Sequence, residues 1–177
     1  MTQPPARRIL LRLWAWVPSI LWTVLITLAS TDAFSEAHTS LIILPLLHWL
    51  MPHASAATLE HAHVSIRKGA HFTEYFIFSV LLLRAVRGDR RGWQLRWALA
   101  ALALAAGYSA LDEFHQSFVP SRTASPWDSL LDAAGAATAQ ATMWLTARFH
   151  AARTGSADER FAPATARRSN NQSEFRG

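Results

Sequence analysis

Long apolar stretches separated by short charged links dominate the chain and predict membrane-spanning helices. A helix needs about 20 predominantly apolar residues, within a range of roughly 17–25, to cross the hydrocarbon core of a bilayer. Four stretches approach this length: Trp14–Ala29, Ala70–Val86, Trp93–Leu111 and Leu130–Phe149. The last two are rich in Ala and Gly, whose small side chains allow membrane helices to pack closely. The predicted fold class is therefore all-α, an integral membrane bundle of four transmembrane helices.

A fifth apolar block, Leu41–Met51, is too short to span a bilayer and contains Pro45 and His48. We predict that it forms a short interfacial or re-entrant segment in the first outer loop. The transmembrane domain is predicted to occupy residues 1–150. The remainder, 151–177, is polar and is predicted to be a disordered cytoplasmic tail.

The first apolar stretch could instead be a cleaved signal peptide, because arginines precede it and small residues follow it. An apolar run of sixteen residues is long for that role, and no A-x-A sequence marks its boundary. An uncleaved membrane anchor is the preferred interpretation.

Positive charges are distributed unevenly around the four stretches. If the chain crosses the membrane four times, fourteen of its seventeen Lys and Arg residues fall on one side. The other side receives only Arg67, Lys68 and Arg122. Because cytoplasmic loops carry the excess of Lys and Arg, both termini are predicted to be cytoplasmic.

The composition supports a membrane protein and excludes several kinds of function. Only 16% of the residues are charged, against about a quarter in an average soluble protein. The chain has no cysteine, which excludes disulfides, thiolate nucleophiles and Cys-ligated zinc. Its net charge of +5 does not predict a nucleic-acid partner, because the arginines flank apolar blocks instead of forming one stripe.

Acids and histidines concentrate at the predicted outer ends of the helices, where they can meet. Arg67, His71 and Tyr75 follow one another at i, i+4 spacing and share one helix face. Ionisable groups within an apolar run are costly in a bilayer and need partners. Acids near the ends of the third and fourth spans can supply them. The predicted binding residues are Arg67, Lys68, His71, Tyr75, Asp112, Glu113, Gln116, Arg122, Asp128 and Asp132.

Several of these residues also have a purely structural interpretation. Asp128 could be the N-cap of the fourth helix, and Asp112 with Glu113 could form a solvated helix end. His71 could be a hydrogen-bonding link between helices, and Tyr75 could belong to the aromatic belt of the membrane interface.

Metal binding has little support in the sequence. His61-x-His63 is the one metal-like spacing, and two histidines alone are a weak signal for a metal site. We therefore predict no metal and no cofactor.

Two blocks resemble the VanZ-like family of small bacterial membrane proteins, named for the teicoplanin resistance protein VanZ. They are "RKGAHFTEYFIFSVLLL" (Arg67–Leu83) and "SALDEFHQSFVPSRTASPWDSLLDAAGA" (Ser109–Ala136). The resemblance implies that the signature positions are Lys68, His71, Phe72, Tyr75, Asp112, Glu113, Gln116, Pro120, Arg122 and Asp128. One departure is Asp132, where members of the family usually have Asn. The resemblance also implies a protein of the bacterial inner membrane with an involvement in glycopeptide resistance.

Three functions are compatible with the predicted cluster. Arg67, Lys68 and Arg122 could hold the phosphate or carboxylate of an anionic head group or cell-wall precursor. Alternatively, Asp112, Glu113 and His71 could perform acid–base or metal chemistry on a lipid-linked substrate. The cluster could also serve only to lock the helices together. The predicted partners are membrane lipids and a cell-wall precursor or peptidoglycan stem, and the sequence leaves the oligomeric state open.

Overall fold

A computed structural model of the chain describes residues 5–31, 36–118 and 125–161. Within these residues the chain forms five helices and no strand, which confirms the all-α prediction. The helices are α1 (Pro5–Ala29), α2 (Glu36–Leu50), α3 (Ala56–Arg87), α4 (Leu95–Gln116) and α5 (Pro126–Phe161).

The chain divides into two compact units, Met1–Ala141 and Thr142–Gly177. The first unit contains α1 to α4 and the beginning of α5. Helix α5 continues to Phe161, beyond the predicted end of the fourth span at Phe149. The beginning of the tail predicted at 151–177 is therefore helical, and residues 162–177 lie outside the described residues. The predicted boundary at residue 150 stays a prediction.

Neighbouring helices of the first unit run in opposite directions where short connections join them. Gly88 ends α3 with a positive φ of 59°, and Gly92 follows with a φ of 83°, so the chain reverses within a few residues.

Helix α1 packs beside α3, where the indole nitrogen of Trp22 donates to the carbonyl oxygen of Glu74 at 3.1 Å. It also lies beside α4, where the hydroxyl groups of Thr27 and Tyr108 are 2.7 Å apart.

Small residues bring α5 unusually close to α3. A Cβ atom added at Gly135 would collide with the backbone carbonyl of Phe72, so glycine is required at this crossing. About two turns further along α3, Ser79 donates to the carbonyl oxygen of Ala136 at 3.1 Å. The side-chain amide of Gln140 then donates to the Ser79 hydroxyl at 2.8 Å. Together these contacts fix the register of the two helices.

Helix α3 is longer than the predicted second span because polar residues continue the helix towards its N-terminus. It begins at Ala56 rather than Ala70, after the Ser55 side chain accepts a hydrogen bond from the backbone N–H of Thr58 at 3.2 Å. The intervening residues, 56–69, include three Ala, which favour helix, and Glu60, Arg67 and Lys68, which favour helix but not the bilayer. Arg67 and Lys68 therefore lie within a helix and not at its entry.

Helix α2 covers the block predicted to be interfacial or re-entrant and extends it to Glu36–Leu50. It packs against α3, and its apolar part is shorter than a membrane span. Its position relative to a membrane stays a prediction.

Two helices in the described part of the chain are long and apolar enough to cross a membrane, Leu10–Ala29 of α1 and helix α3. Only 11% of the apolar segment of α1 is buried within the protein, so large apolar side chains such as Leu21, Leu25 and Leu28 face outwards. An apolar surface of this kind is typical of contact with lipid or another protein.

Candidate binding site

A hydrogen-bonded group joins the end of α1 to the end of α4. The Ser30 hydroxyl donates to Asp112 Oδ2 at 2.7 Å, and the Gln116 side-chain amide donates to the same oxygen at 2.8 Å. Ser30 and Gln116 are both buried. The predicted i, i+4 relation of Asp112 and Gln116 is thus present, and a residue of α1 completes the group. We call these three residues the serine–aspartate lock.

A second group joins α3, α4 and α5 through Asp132, which is 5% exposed. The Ser109 hydroxyl donates to Asp132 Oδ2 at 2.8 Å. The other carboxylate oxygen, Oδ1, lies 3.8 Å from His71 Nδ1, an ion-pair distance when the imidazole is protonated. The His71 side chain is 31% exposed, so its ring can contact a molecule outside the bundle, and the buried Asp132 lies behind it. We call His71 and Asp132 the histidine–aspartate pair.

Glu113, near the end of α4, contacts the start of α5. Its carboxylate accepts a hydrogen bond from the backbone N–H of Ser125, the residue before the first helical residue. A carboxylate is favourable there because the N-terminus of a helix carries a partial positive charge. Asp128 lies in the first turn of α5 and not before it, so the N-cap interpretation of Asp128 is wrong. The helix starts earlier because Pro126 is well suited to a first helical position.

The basic residues of α3 have different environments. Arg67 donates from Nη1 to the Thr39 hydroxyl of α2 at 2.7 Å. Lys68 is exposed one turn before His71. Arg122 lies outside the described residues.

Tyr75 is 1% exposed and packs edge-on against Phe78, which places it in the core and not in an aromatic belt.

The structure therefore brings the two predicted blocks together, and among the predicted binding residues it pairs His71 with Asp132. The predicted meeting of Arg67 and Lys68 with the acids of α4 and α5 is not seen among the described side chains. In the same parts of the chain, no three His, Asp or Glu residues are grouped so that they could hold a metal ion. A binding role for these residues stays a prediction.

Four residues that form hydrogen bonds between helices were not predicted from the sequence: Ser30, Ser79, Ser109 and Gln140. Gln140 could have been found, because an amide within the apolar run of the fourth span needs a partner. The serines gave no such signal, because a hydroxyl can bond the carbonyl of its own helix and is therefore common in apolar helices.

Comparison with known families adds the decisive observation. A family model described as VanZ/LLP1 matches residues 15–147. The chain belongs to the VanZ/LLP1 family. The match includes both blocks that resemble this family in sequence, so the resemblance is confirmed. No curated protein and no solved structure matches the chain.

Membership of the VanZ/LLP1 family and the apolar helices together indicate a membrane protein. The histidine–aspartate pair and the serine–aspartate lock both lie within the residues that the VanZ/LLP1 match covers. These two groups are therefore features of the family domain and not of the segment that follows it.

Proposed function

We propose that this VanZ-like protein crosses the bacterial inner membrane four times and binds an anionic head group or cell-wall precursor at its outer face. Binding of this kind would connect the protein to glycopeptide resistance, including resistance to teicoplanin, by occupying or altering the target of the drug. The observation that carries the proposal is the partly exposed His71, which lies beside the buried Asp132 and is preceded by the exposed Lys68.

The proposed topology takes α1, α3, α4 and α5 as the four crossings. Fourteen of the seventeen Lys and Arg residues then flank the cytoplasmic ends. The connection between α3 and α4 is cytoplasmic, and both the α1–α3 and the α4–α5 connections are outside. The ends that carry Ser30, Asp112 and Asp132 consequently face outwards.

Cysteine labelling tests this topology directly, because the chain has no native cysteine. We expect His53→Cys and Ser121→Cys to react with a membrane-impermeant maleimide in intact cells. Arg91→Cys is expected to react only after the membrane is permeabilised. Equal accessibility of Arg91→Cys and Ser121→Cys would exclude four crossings in the proposed arrangement.

The environment of His71 supports ligand binding more than a purely structural role. The serine–aspartate lock satisfies its polar atoms internally, as expected for a link between helices. His71, in contrast, keeps a large part of its ring accessible, and Lys68 extends beside it on the same helix. When His71 is protonated, its imidazolium and the Lys68 ammonium group lie one turn apart and suit phosphate or carboxylate oxygens.

An enzymatic role on a lipid-linked substrate has less support from the geometry. The Ser109 hydroxyl contacts the histidine–aspartate pair, but it is 1% exposed and already donates to Asp132. It is therefore poorly placed to attack a substrate. The pair is better suited to hold an anion than to activate this serine.

Photo-crosslinking measures the proposed binding. The full chain, reconstituted in vesicles, is exposed to a photoreactive phospholipid head-group analogue and to a photoreactive analogue of a lipid-linked cell-wall precursor. We expect Lys68→Ala and His71→Gln each to reduce labelling by one of these probes about tenfold, because each removes a charge-assisted contact of about 1.5 kcal/mol or more.

Arg84→Gln is the matched control for this experiment, because it removes a positive charge from an exposed position near the other end of α3. Its labelling is expected to equal that of the wild type. Labelling that is unchanged in both Lys68→Ala and His71→Gln, with folded protein confirmed by gel filtration, would contradict the proposal.

A further inference from the structure

A second candidate site lies at the opposite end of the first unit from the serine–aspartate lock. A cavity of about 280 Å³ opens between the beginning of α1 and the turn that follows α3. Three arginines and one acid contribute to its lining, together with an indole and a glycine. These residues are Arg12, Arg87, Arg90, Asp89, Trp16 and Gly88, and we call the space the arginine cavity.

The arginines of this cavity are not neutralised by a described carboxylate. Neither ion pair between described residues involves Arg12, Arg87 or Arg90, and Asp89 is not within ion-pair distance of any of the three guanidinium groups. The Nε atom of Arg87 is buried and donates to no acceptor, although its Nη1 atom makes a long contact of 3.5 Å with the carbonyl oxygen of Gly92. Buried donors are rarely left without a partner, so this nitrogen points to a ligand that the protein does not itself supply.

The positions of the three side chains are set by separate features of the fold. The aliphatic part of Arg12 passes over Gly88, since a Cβ added to that glycine would lie 4.0 Å from Arg12 Cγ. Arg90 is held over the ring of Trp97, 5.8 Å from its centroid. Arg87 ends α3. Three arginines from two segments of the chain therefore line one space, with Asp89 as the one acid in the lining.

We propose that the arginine cavity binds a phosphate group. Guanidinium groups offer paired N–H donors that match phosphate oxygens, and the lack of a side chain at Gly88 keeps the space open. The volume is just below the roughly 300–1,000 Å³ of pockets for drug-sized ligands, which suits a head group more than a large molecule. With the topology proposed above, the cavity faces the inner leaflet, and Trp16 is suited to the interfacial region of that leaflet. An anionic phospholipid and free inorganic phosphate share the required chemistry.

This site is independent of the proposed outer binding site. None of its residues belongs to the histidine–aspartate pair, and its lining lies outside both blocks that resemble the family. A failure here would leave labelling at His71 unaffected, and a failure at His71 would leave the arginine cavity untouched.

Lipid retention by the full chain tests the inference. The purified protein is stripped of lipid in a neutral detergent and titrated with phosphatidylglycerol or phosphatidylcholine, and bound lipid is counted by native mass spectrometry. We expect the wild type to prefer phosphatidylglycerol, and Arg87→Gln and Arg12→Gln to lose about tenfold in affinity for it. Arg84→Gln, one turn before Arg87 and outside the cavity, is expected to retain the preference.

A second arm distinguishes the source of the phosphate. Inorganic phosphate is added to the wild type and the same variants in a sulfate-free buffer. Their thermal stability is compared with that in the same buffer without phosphate. Stabilisation by phosphate that depends on Arg87, without a preference for phosphatidylglycerol, would assign the site to a soluble phosphate. Equal retention of both lipids together with no phosphate effect would overturn the proposal, and so would unchanged binding in both variants. If Arg87→Gln does not fold, Arg12→Gln carries the test, because Arg12 is exposed and its loss leaves no buried group without a partner.

Discussion

Gly135→Ala is expected to destabilise the first unit by about 1–3 kcal/mol, the usual range for an overpacked contact. The new methyl group would lie against the backbone carbonyl of Phe72, and a backbone atom cannot rotate away as a side chain can. Helices α3 and α5 would have to move apart. Their neighbouring contacts, including the bond from Ser79 to Ala136, would lengthen or break.

Thermal unfolding in detergent measures this loss of stability, and gel filtration before heating confirms that each variant is folded. Gly107→Ala is the matched control, because Gly107 also lies within a helix but a Cβ there would meet nothing within 4 Å. It is expected to be neutral or slightly stabilising, since Ala is a better helix former than Gly. Equal stability of the two variants would show that α3 and α5 do not approach as closely as described.

The same substitution should also affect the candidate binding site. His71 directly precedes Phe72, and Asp132 lies one turn before Gly135, so the crossing sets the distance within the histidine–aspartate pair. We expect the surviving folded Gly135→Ala protein to bind the photoreactive probes less well than the wild type. Gly107→Ala should bind them normally.

Asp112→Ala is expected to have the other large effect, a loss of about 2–3 kcal/mol in stability. It leaves the Ser30 hydroxyl and the Gln116 amide buried without their shared acceptor. A buried polar group that loses its partner costs about 1–3 kcal/mol, and interhelical bonds in membranes have smaller values, typically about 0.6 kcal/mol. Because two groups lose their acceptor, the expected loss lies near the lower end of twice the range for one group.

Asp112→Asn separates the hydrogen bonds from the charge. Both bonds end on Oδ2, and the carbonyl oxygen of an asparagine at this place has two lone pairs with which to accept them. We expect this variant to retain most of the stability, within about 1 kcal/mol of the wild type. If it unfolds as readily as Asp112→Ala, then the negative charge and not the pair of bonds stabilises the end of α4.

Spacing along one helix could be predicted from the sequence, whereas contacts between helices mostly could not. Asp112 and Gln116 are one turn apart in any helix, so their contact follows from the sequence alone. Ser30 and Ser109 complete the two polar groups only because α1 and α5 pack where they do. The opposite charges of Arg67 and the distal acids suggested a contact, but Arg67 is directed to Thr39 by the packing of α2 on α3. The N-terminal part of α3, before Ala70, was not predicted, because apolar length measures how much of a helix suits lipid and not how far the helix extends.

In the proposed topology, the length of α3 sets the depth of His71 in the membrane. The helix has 32 residues and is about 48 Å long, which exceeds the roughly 30 Å thickness of the hydrocarbon layer. With Arg87 at the inner boundary, His71 is about 24 Å higher along the helix, so its ring lies some way below the outer polar surface. The remaining turns of α3, against which α2 packs, would then extend beyond the hydrocarbon layer. A molecule that reaches His71 would have to arrive sideways from within the leaflet, which favours ligands with acyl or polyprenyl tails over large soluble ones.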